Sequence, residues 1–439
     1  MRKIRYCMVG MGHRGVGMYG VPLVTEYADV AEVAGICDIN PTRLARANEA
    51  MGGNVPAFTD FDAMLRSVDC DAVIVTTKDS THHEFIVKAL RSGKDVITEK
   101  PMTIDDEKCR MILDAEKESG KSVRVTFNYR YGPYPTRIKE LLAQGVIGEV
   151  VSVEFHWFLD TVHGADYFRR WHRQKANSGG LFVHKATHHF DLVNWWLGDE
   201  PESVYAKGSR RVYGPTRKER GERCLACAYQ DSCEFYLDLR KSDELRRLYL
   251  EAEGDDGYIR DGCVFSEEID IEDTMAALVT YRGGAHLVYT LHAHMPFEGW
   301  RIAFNGLKGR LEAGAAERYV PVESRNFEAR VKARKRIDPW RAAQGDLEPA
   351  ENEIRIYPMF GGVTVERLPH ASGGHGGGDK RLRDMLFRPG APDPLGHAAG
   401  SRAGAMSILI GVAANRSMET GAPVRIADLL GPHAERHAS

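Results

Sequence analysis

The stretch Ile4–Gly15, IRYCMVGMGHRG, is the strongest indication of the fold of the amino-terminal half of this 439-residue chain. Its first six residues predict a buried β-strand, which runs into a GxGxxG motif followed by a predicted helix. The motif alone is weak evidence because glycine is common in turns, but its place between strand and helix is informative. Gly10 permits a tight turn, Gly12 lets the backbone approach a pyrophosphate, and Gly15 allows close helix–strand packing. The helix N-terminus then offers N–H donors to the phosphates.

A second apolar strand, VAEVAGICD, ends at Asp38, 23 residues after Gly15. A carboxylate about 20 residues beyond the glycine motif binds ribose hydroxyls in dinucleotide-binding proteins. Such a carboxylate repels a 2′-phosphate, so the sequence favours NAD over NADP, although Arg43 could weaken that preference. The alternative is a glycine-rich turn that binds no ligand.

Strands and helices continue to alternate along this half of the chain. Asp71–Thr77 and Lys94–Thr98 predict two more strands, separated by the helix-like segment HEFIVKALRSG. This alternation is typical of an α/β protein with a doubly wound parallel sheet. We expect the ligand at the carboxyl edge of that sheet, beside the loops that follow Val9, Thr76 and Thr98.

Composition limits the class of protein. The chain is 43% hydrophobic and 28% charged, with a net charge of −3, which predicts a globular chain of two domains. The near-neutral charge argues against nucleic acid or an anionic membrane as the main partner. The first residues lack the features of a signal peptide, and no apolar run is long enough to span a bilayer. We therefore expect a soluble cytoplasmic protein.

The segment Gly179–Asp191, GGLFVHKATHHFD, places four potential cations within six residues: His184, Lys185, His188 and His189. Burying even one unpaired charge is costly. The cluster is therefore either solvated or held against an anionic or reactive group.

The chain resembles the Gfo/Idh/MocA oxidoreductase family. The resemblance rests on Glu99-Lys100-Pro101, about 85 residues after the glycine motif, and on TTKDSTHHEFIVKALRSGKDVITEKPM, FNYRYGPYPTRIKELLAQGVIGEV, GGLFVHKATHHFDLVNWWLG and ILIGVAANRSMETGAPVRIADLL. It implies a Rossmann domain over residues 1–126 and an α/β domain with a large open, mostly antiparallel sheet over 127–439. We expect an insert at about 208–262 and a helix at about 400–418 that packs back.

The resemblance also implies roles for individual residues. Lys100 would reach the substrate hydroxyl, and His188 would take its proton during hydride transfer, with Tyr129 beside them. A cationic lysine stabilises a developing alkoxide, and a histidine titrating near neutrality accepts a proton. The alternatives are a surface lysine and a structural histidine. The predicted cofactor-binding residues are Gly10, Gly12, His13, Arg14, Gly15, Asp38, Arg43, Thr76, Thr77, His82, Glu99, Lys100 and Asn128.

His184 departs from the family pattern, because simple dehydrogenases of the family carry an aspartate at this position. On one helix, His184 and His188 would share a face and point into one pocket. Their spacing also suits zinc, but no third ligand accompanies it. We favour a cationic pocket for a sulfonate, carboxylate or phosphate group, with some of its arginines on a solvated face. The predicted substrate contacts are Lys185, His189, Arg169, Arg170, His163, Trp171 and His375.

The missing aspartate also bears on the reaction. Some relatives oxidise a sugar hydroxyl, eliminate the aglycone, add water and reduce the ketone, with no net redox change. That cycle needs a further acid/base group, which His184 with Tyr129 or Tyr131 could supply. The run from Lys185 to His189 also resembles NAD-dependent sulfoquinovosidases. We therefore predict an NAD-dependent redox-assisted glycosidase for an anionic sugar. The alternatives are a plain sugar or polyol dehydrogenase and a non-catalytic NAD sensor, and a homo-oligomer is expected in each case.

Eight cysteines are present, and four of them fall in the insert or just beyond it: Cys224, Cys227, Cys233 and Cys263. In a cytosolic chain, a CxxC pair with further cysteines suggests a metal more than a disulfide. The insert is strongly charged and poor in core residues, so a structural zinc held by four thiolates would stabilise it. An iron–sulfur cluster and four free thiols are the alternatives.

The segment 372–386, SGGHGGGDKRLRDML, predicts a glycine-rich loop before a helix with Asp379 as N-cap. The loop is either a flexible connection or a lid that brings His375 or Asp379 to the substrate. The charged segment 319–356 predicts a surface excursion or interdomain connection.

Overall fold

The structure is a computed structural model that describes residues 2–319, 327–333, 352–369, 373–388, 390 and 392–433. The strands, in chain order, are β1 Ile4–Val9, β2 Ala31–Cys37, β3 Ala57–Phe58, β4 Ala72–Val75, β5 Asp95–Thr98, β6 Val123–Val125, β7 Val150–Asp160, β8 Pro201–Ser209, β9 Thr274–Tyr281, β10 His286–Met295, β11 Phe297–Gly306, β12 Gly309–Tyr319, β13 Asn352–Pro358, β14 Thr364–Leu368, β15 Ala399–Gly400 and β16 Val424–Arg425.

The α-helices, in chain order, are α1 Val21–Val24, α2 Pro41–Ala50, α3 Phe61–Ser67, α4 His82–Arg91, α5 Asp106–Ser119, α6 Pro133–Ala143, α7 His163–Arg169, α8 Lys175–Ser178, α9 Leu181–His184, α10 Thr187–Leu197, α11 Asp243–Leu245, α12 Glu253–Asp256, α13 Phe327–Ala333, α14 Gly378–Phe387, α15 Ser401–Thr420 and α16 Ile426–Leu430. Short π-helical segments cover Gly15–Gly20 and Arg246–Leu250. No helix in the described ranges is long and apolar enough to cross a bilayer.

The first sheet has seven strands in the order β15-β6-β5-β4-β1-β2-β3. The six strands from β1 to β6 are parallel, and only β15 runs antiparallel, beside β6. The strand order reverses beside β1, which is the doubly wound arrangement that places ligands at the carboxyl ends of the strands. The predicted α/β class and parallel Rossmann sheet are confirmed.

The second sheet has nine strands in the order β14-β13-β12-β11-β7-β10-β9-β8-β16. Neighbouring strands are antiparallel except β7 and β10, which run parallel. In β9, Met275, Ala277, Val279 and Tyr281 are buried while the residues between them are more exposed, the period-two pattern of a sheet with one covered face. The expected large, mostly antiparallel sheet is confirmed.

Helices α10 and α15 cover the buried face of the second sheet. Nine of the eleven residues of α10 are buried, and Gly198 ends the helix in the left-handed conformation at φ 67°. A Cβ at Gly411 of α15 would lie 2.5 Å from the Phe182 carbonyl oxygen, so glycine lets α15 pack closely against α9. This packing fixes the start of α10, which carries His188.

An excursion between β8 and β9 carries α11 and α12. Contrary to the expectation from its composition, it has apolar packing of its own. Tyr213 and Phe235 lie 5.7 Å apart, and Phe235 and Phe265 lie 5.6 Å apart between ring centroids, with all three residues buried. Arg223 also forms ion pairs with Glu253 and Asp261. Aromatic packing and ion pairs therefore stabilise this segment. Most of the predicted excursion at 319–356 lies outside the described residues, which there comprise the end of β12, α13 and β13 up to Ile356.

Candidate active site

The glycine motif forms a tight turn at the carboxyl end of β1. Gly10 has φ 89°, and a Cβ there would lie 2.6 Å from the backbone carbon of Thr76. A Cβ at Gly15 would lie 2.4 Å from the Gly10 carbonyl oxygen. Side chains at either position would therefore separate the turn from its neighbours. Thr76 closes the turn from β4 by donating its hydroxyl to the Gly10 carbonyl oxygen at 2.6 Å.

Asp38 lies at the end of β2 and faces the same turn. Its Oδ2 accepts from the Met11 amide at 2.7 Å, and its Oδ1 accepts from the Asn40 amide at 2.9 Å. Arg43 lies 3.3 Å from Oδ1 of Asp38 and 2.9 Å from Oδ2 of Asp256. Because two carboxylates contact the Arg43 guanidinium, its charge does little to attract a 2′-phosphate.

The other predicted cofactor residues divide into two groups. Arg14 and Thr77 are partly exposed and His13 is exposed, so all three are accessible at this edge of the sheet. His82 and Glu99 are buried: His82 Nδ1 and Nε2 lie 2.9 and 3.1 Å from the Pro101 and Thr77 carbonyl oxygens. These two residues therefore shape the loops around the site.

Lys100 follows β5 and reaches towards the second sheet. Its Nζ lies 3.5 Å from the His184 carbonyl oxygen, and its peptide bond to Pro101 is cis. Burial lowers the pKa of Lys100, while the carboxylates of Asp79 and Glu99 act against that shift. The loop after β5 thus places one cation beside the end of α9.

His188 is only 3% exposed and stacks on Tyr129, with ring centroids 4.2 Å apart and planes at 10°. Among the described residues, its Nδ1 has no hydrogen-bond partner although it is buried. Burial, followed by the cations of Lys100 and Lys185, lowers the pKa of His188 well below its ordinary value. The imidazole is therefore neutral at pH 7 and is able to accept a proton.

His184 contacts a residue that sequence reasoning missed. Its Nδ1 lies 2.5 Å from Oδ2 of Asp79, which follows β4. Burial, with Lys100 and Arg170, lowers the pKa of His184 well below its ordinary value, and burial raises the pKa of Asp79. A carboxyl group from the loop after β4 thus contacts the first histidine of the 184–189 cluster. An acid at the carboxyl end of β4, within TTKDSTHH, was the available signal.

The expectation that His184 and His188 share one helix face is wrong. Helix α9 ends at His184 and α10 begins at Thr187, so a turn separates the two rings. His184 packs against Tyr167 and His172, whereas His188 packs against Tyr129. In the described part of the chain, no group of three or more potential ligands could hold a metal ion, and this includes the His-x-x-x-His pair.

Tyr129 also lines a cavity of about 390 Å³. Its walls combine aromatic faces with polar groups: Tyr129, Trp157, Trp300, His163, Glu298 and His375. His163 Nδ1 lies 2.7 Å from Glu298, and its Nε2 lies 2.9 Å from the Tyr167 hydroxyl. Of the two candidate tyrosines only Tyr129 lines this cavity, because Tyr131 is buried with its ring 5.2 Å from that of His397.

Two predicted substrate contacts need correction. His189 is fully buried, with its ring 4.0 Å from that of Trp157 and its Nδ1 2.6 Å from the Tyr289 hydroxyl. Arg169 is 2% exposed and donates to the Cys224 sulfur and the Phe235 carbonyl. Both side chains belong to the packing of the domain and do not reach the cavity.

The remaining cations near the site already have partners. Lys185 donates to the Tyr129 hydroxyl at 3.0 Å and lies 4.7 Å from the Trp157 ring centroid. Nε of Arg170 lies 3.0 Å from Oδ2 of Asp166. Trp171, the uncharged member of this predicted set, stacks on His172 with ring centroids 3.6 Å apart. The arrangement is therefore a mixed polar site, in which Asp166 pairs with Arg170 and the Tyr129 hydroxyl accepts from Lys185, not the purely cationic pocket that was expected.

The glycine-rich loop brings His375 towards the same place. Its ring lies 5.3 Å from that of Tyr129, and its Nδ1 lies 3.0 Å from Asp379. Asp379 is not the N-cap of α14: Gly377 holds that position, and Asp379 accepts from Asn128 at 2.6 Å. Asn128 thus anchors the loop through its side-chain amide.

The four cysteines of the predicted zinc site line one small cavity. However, no group of three or more His, Cys, Asp or Glu residues in the described ranges could hold a metal ion. Arg169 and Arg217 donate to the sulfurs of Cys224 and Cys233 at 3.2 and 3.1 Å, so these two thiols already contact guanidinium groups. The structure does not support the zinc prediction.

The residues at the edge of the first sheet fit NAD. The turn at Gly10 and Gly15 has no room for a Cβ at either position, and a carboxylate stands at the end of β2. The buried Nδ1 of His188, which has no hydrogen-bond partner among the described residues, belongs to a ring 6.4 Å from that of Phe127, just after β6. These are the features that a dinucleotide with a reactive nicotinamide requires.

Comparisons with known proteins agree with this assignment. Residues 4–127 match the family model described as oxidoreductase family, NAD-binding Rossmann fold, and residues 139–426 match the one described as oxidoreductase family, C-terminal alpha/beta domain. A protein of Bacillus subtilis (strain 168) named as oxidoreductase YteT is 39% identical over 98% of this chain and 99% of its own length.

An inositol 2-dehydrogenase of Rhizobium meliloti (strain 1021) is 30% identical over 46% of this chain and 58% of its own length. Among solved structures, the WlbA dehydrogenase from Bordetella pertussis, in complex with NADH and UDP-GlcNAcA, has a TM-score of 0.63 at 20% identity. The alignment covers 97% of this chain and 99% of that one. This likeness shows the shared fold.

Proposed function

Since the chain belongs to the Gfo/Idh/MocA oxidoreductase family, we propose that it is an NAD-dependent dehydrogenase of a sugar or polyol. The glycine turn and Asp38 would hold the dinucleotide, with Arg14 and Thr77 accessible beside it. When bound, NAD supplies the hydride acceptor. The protein supplies orientation, a proton acceptor and charge stabilisation at the hydroxyl that is oxidised.

This proposal depends mainly on the burial and protonation state of His188. Its imidazole is buried and neutral, and its Nδ1 has no hydrogen-bond partner among the described residues. After burial, the charge of Lys100 is the largest cause of the lowered pKa of His188. We assign His188 as the base that takes the hydroxyl proton. Lys100 stabilises the negative charge that develops on the same oxygen. Stacking on Tyr129 holds the imidazole plane in place.

The balance of charge favours a neutral polyhydroxylated substrate. Arg170 pairs with Asp166 and His163 with Glu298, so these two cations are already balanced by carboxylates. Aromatic side chains with a few polar groups are typical walls for a small-molecule cavity. The inositol 2-dehydrogenase similarity supports the same substrate class.

A redox-assisted glycosidase is the second candidate. The His184–Asp79 pair favours it, because elimination of an aglycone needs an acid/base group in addition to His188. Sulfoquinovose, the anionic sugar suggested by the sequence, receives less support, since Arg170 already pairs with Asp166 and Arg169 is buried. A sensor without turnover has no specific observation in its favour.

We also propose that the enzyme is a cytoplasmic homo-oligomer. On the outer face of the second sheet, Tyr205 pairs with Leu278, which pairs with Val288, so three exposed apolar side chains stand in one row across β8, β9 and β10. A second copy of the chain would bury such a row.

One assay separates the candidates. The enzyme is incubated with NAD and a panel of polyols, neutral and anionic sugars, and aryl glycosides in deuterated water. A dehydrogenase forms reduced cofactor from a free sugar or polyol without exchange at carbon. A redox-assisted glycosidase releases the aryl group, places deuterium at C2 and accumulates no NADH. Failure to oxidise or cleave any member of the panel would contradict both.

A further inference from the structure

The excursion between β8 and β9 lies directly on the glycine turn. The Tyr249 hydroxyl accepts a hydrogen bond from the His13 amide at 3.1 Å, and Glu244 contacts Nδ1 of His13. A Cβ on Gly12 would meet this hydroxyl at 3.6 Å. The middle of the GxGxxG motif is therefore covered by a tyrosine that lies 236 positions later in the chain.

A second row of contacts joins the same segment to the region around Asp38. The Asn40 side chain donates to the Ala252 carbonyl at 2.8 Å, and the Thr42 amide donates to Asp255 at 3.1 Å. Further ion pairs continue along α2, namely Arg43–Asp256, Arg46–Glu251 and Arg247–Glu49. Residues 243–256, which we call the clasp, thus span the cofactor edge from the glycine turn to α2.

The tyrosine at the centre of the clasp retains an unused donor. Tyr249 accepts from His13 through its oxygen, and its own hydroxyl proton has no acceptor in the described part of the chain. The Arg260 guanidinium lies 5.9 Å from the ring centroid. A hydroxyl donor beside a glycine turn, with a guanidinium behind it, suits a pyrophosphate oxygen.

We infer that Tyr249 is a further cofactor-binding residue and that the clasp encloses NAD, so that NADH leaves slowly and its release limits turnover. The inference rests on the proposed function in that it takes NAD as the cofactor. Release of NAD then requires that the clasp leave the glycine turn and α2. Exposed ion pairs are individually weak, so the clasp is able to open.

Release of NADH tests this directly, without any substrate. Enzyme loaded with NADH is mixed with excess NAD, and the loss of NADH fluorescence gives the dissociation rate. The test variants are Tyr249→Phe and the double variant Glu244→Gln/Arg247→Gln, which removes two contacts with the Rossmann residues. The matched control is Asp238→Asn/Arg240→Gln, which removes a salt bridge wholly inside the excursion.

We expect the rate of NADH release from the wild-type enzyme to match its turnover rate, because release limits each cycle. Each clasp variant should release NADH about tenfold faster, a change of about 1.4 kcal/mol, and the control should stay within about twofold of wild type. Equal release rates in clasp variants and control would overturn the inference while leaving the proposed function intact. Failure of the wild-type enzyme to bind NADH would overturn the proposed function as well. Melting temperatures of the variants show whether they remain folded.

Discussion

Nδ1 of His184 lies 2.5 Å from Oδ2 of Asp79, although the two residues are 105 positions apart in the chain. Asp79 also acts on Lys100, whose pKa it raises against the effect of burial. The pair therefore links the loop after β4 to the cation of the proposed hydride-transfer site.

Asp79→Asn should change the alkaline side of the activity profile. Without this carboxylate, less negative charge opposes the effect of burial, so the pKa of Lys100 falls further below its ordinary value. The protonated lysine then persists over a narrower range, and kcat should fall at lower pH than in the wild-type enzyme. A pH profile of kcat checks this, with the exposed-site variant Asp62→Asn as control. An unchanged alkaline limb would contradict the role of Asp79.

His188→Asn should lower kcat by about 100-fold or more, the range for loss of a general base. NAD binding should persist, because His188 does not contact the glycine turn. Since the pKa of His188 is lowered, the wild-type rate should stay level as pH falls through 6.5 and decline only at more acidic pH. His286→Asn, at the exposed first residue of β10, is the matched control. A wild-type acid limb centred at or above pH 6.5 would count against His188 as the base.

Acid should destabilise the fold through its buried histidines. Burial lowers the pKa of His172, His184, His188 and His189 well below the ordinary value. As pH falls below about 6.5, the unfolded chain binds protons that the folded chain does not, so the free energy of unfolding decreases. Each histidine contributes up to about 1.4 kcal/mol per unit of pKa difference. Urea midpoints at pH 7.5 and 5.5 test this; a midpoint that does not fall would contradict it.

NAD should bind more tightly than NADP. Asp38 faces the turn with its carboxylate, and Arg43 is held between Asp38 and Asp256. We expect a preference of about tenfold or more, which Asp38→Ser should reduce, as measured by the dissociation constants of the two reduced cofactors. Equal binding of both by the wild-type enzyme would show that Asp38 does not select the cofactor.

The first sheet could be predicted from local signals because its determinants are close in sequence. Gly10, Gly15 and Asp38 lie within 29 residues, and Gly10 and Asp38 each directly follow a strand. The contact of Asp79 with His184 could not be predicted, because it depends on how the two sheets pack. The same holds for the clasp residue Tyr249, which is far from the turn it covers.

The cation cluster shows the limit of pattern reasoning most clearly. Spacing along a helix placed His184 and His188 together, but the chain leaves the helix between them at Lys185 and Ala186. His189 lies next to His188 in sequence, yet it is enclosed by Trp157 and Tyr289. Only the packing of α10 against the second sheet determines which of these rings faces the site.

In the reaction that we propose, a hydride leaves a carbinol carbon of the substrate for NAD, with Lys100 and His188 at the reacting hydroxyl. The most direct test is a single turnover with a sugar or polyol deuterated at carbon, followed by mass spectrometry of the extracted cofactor. We predict deuterium in the reduced nicotinamide for the wild-type enzyme and its loss in Lys100→Met and His188→Asn. Turnover that leaves the cofactor without deuterium would contradict hydride transfer from the substrate carbon to NAD.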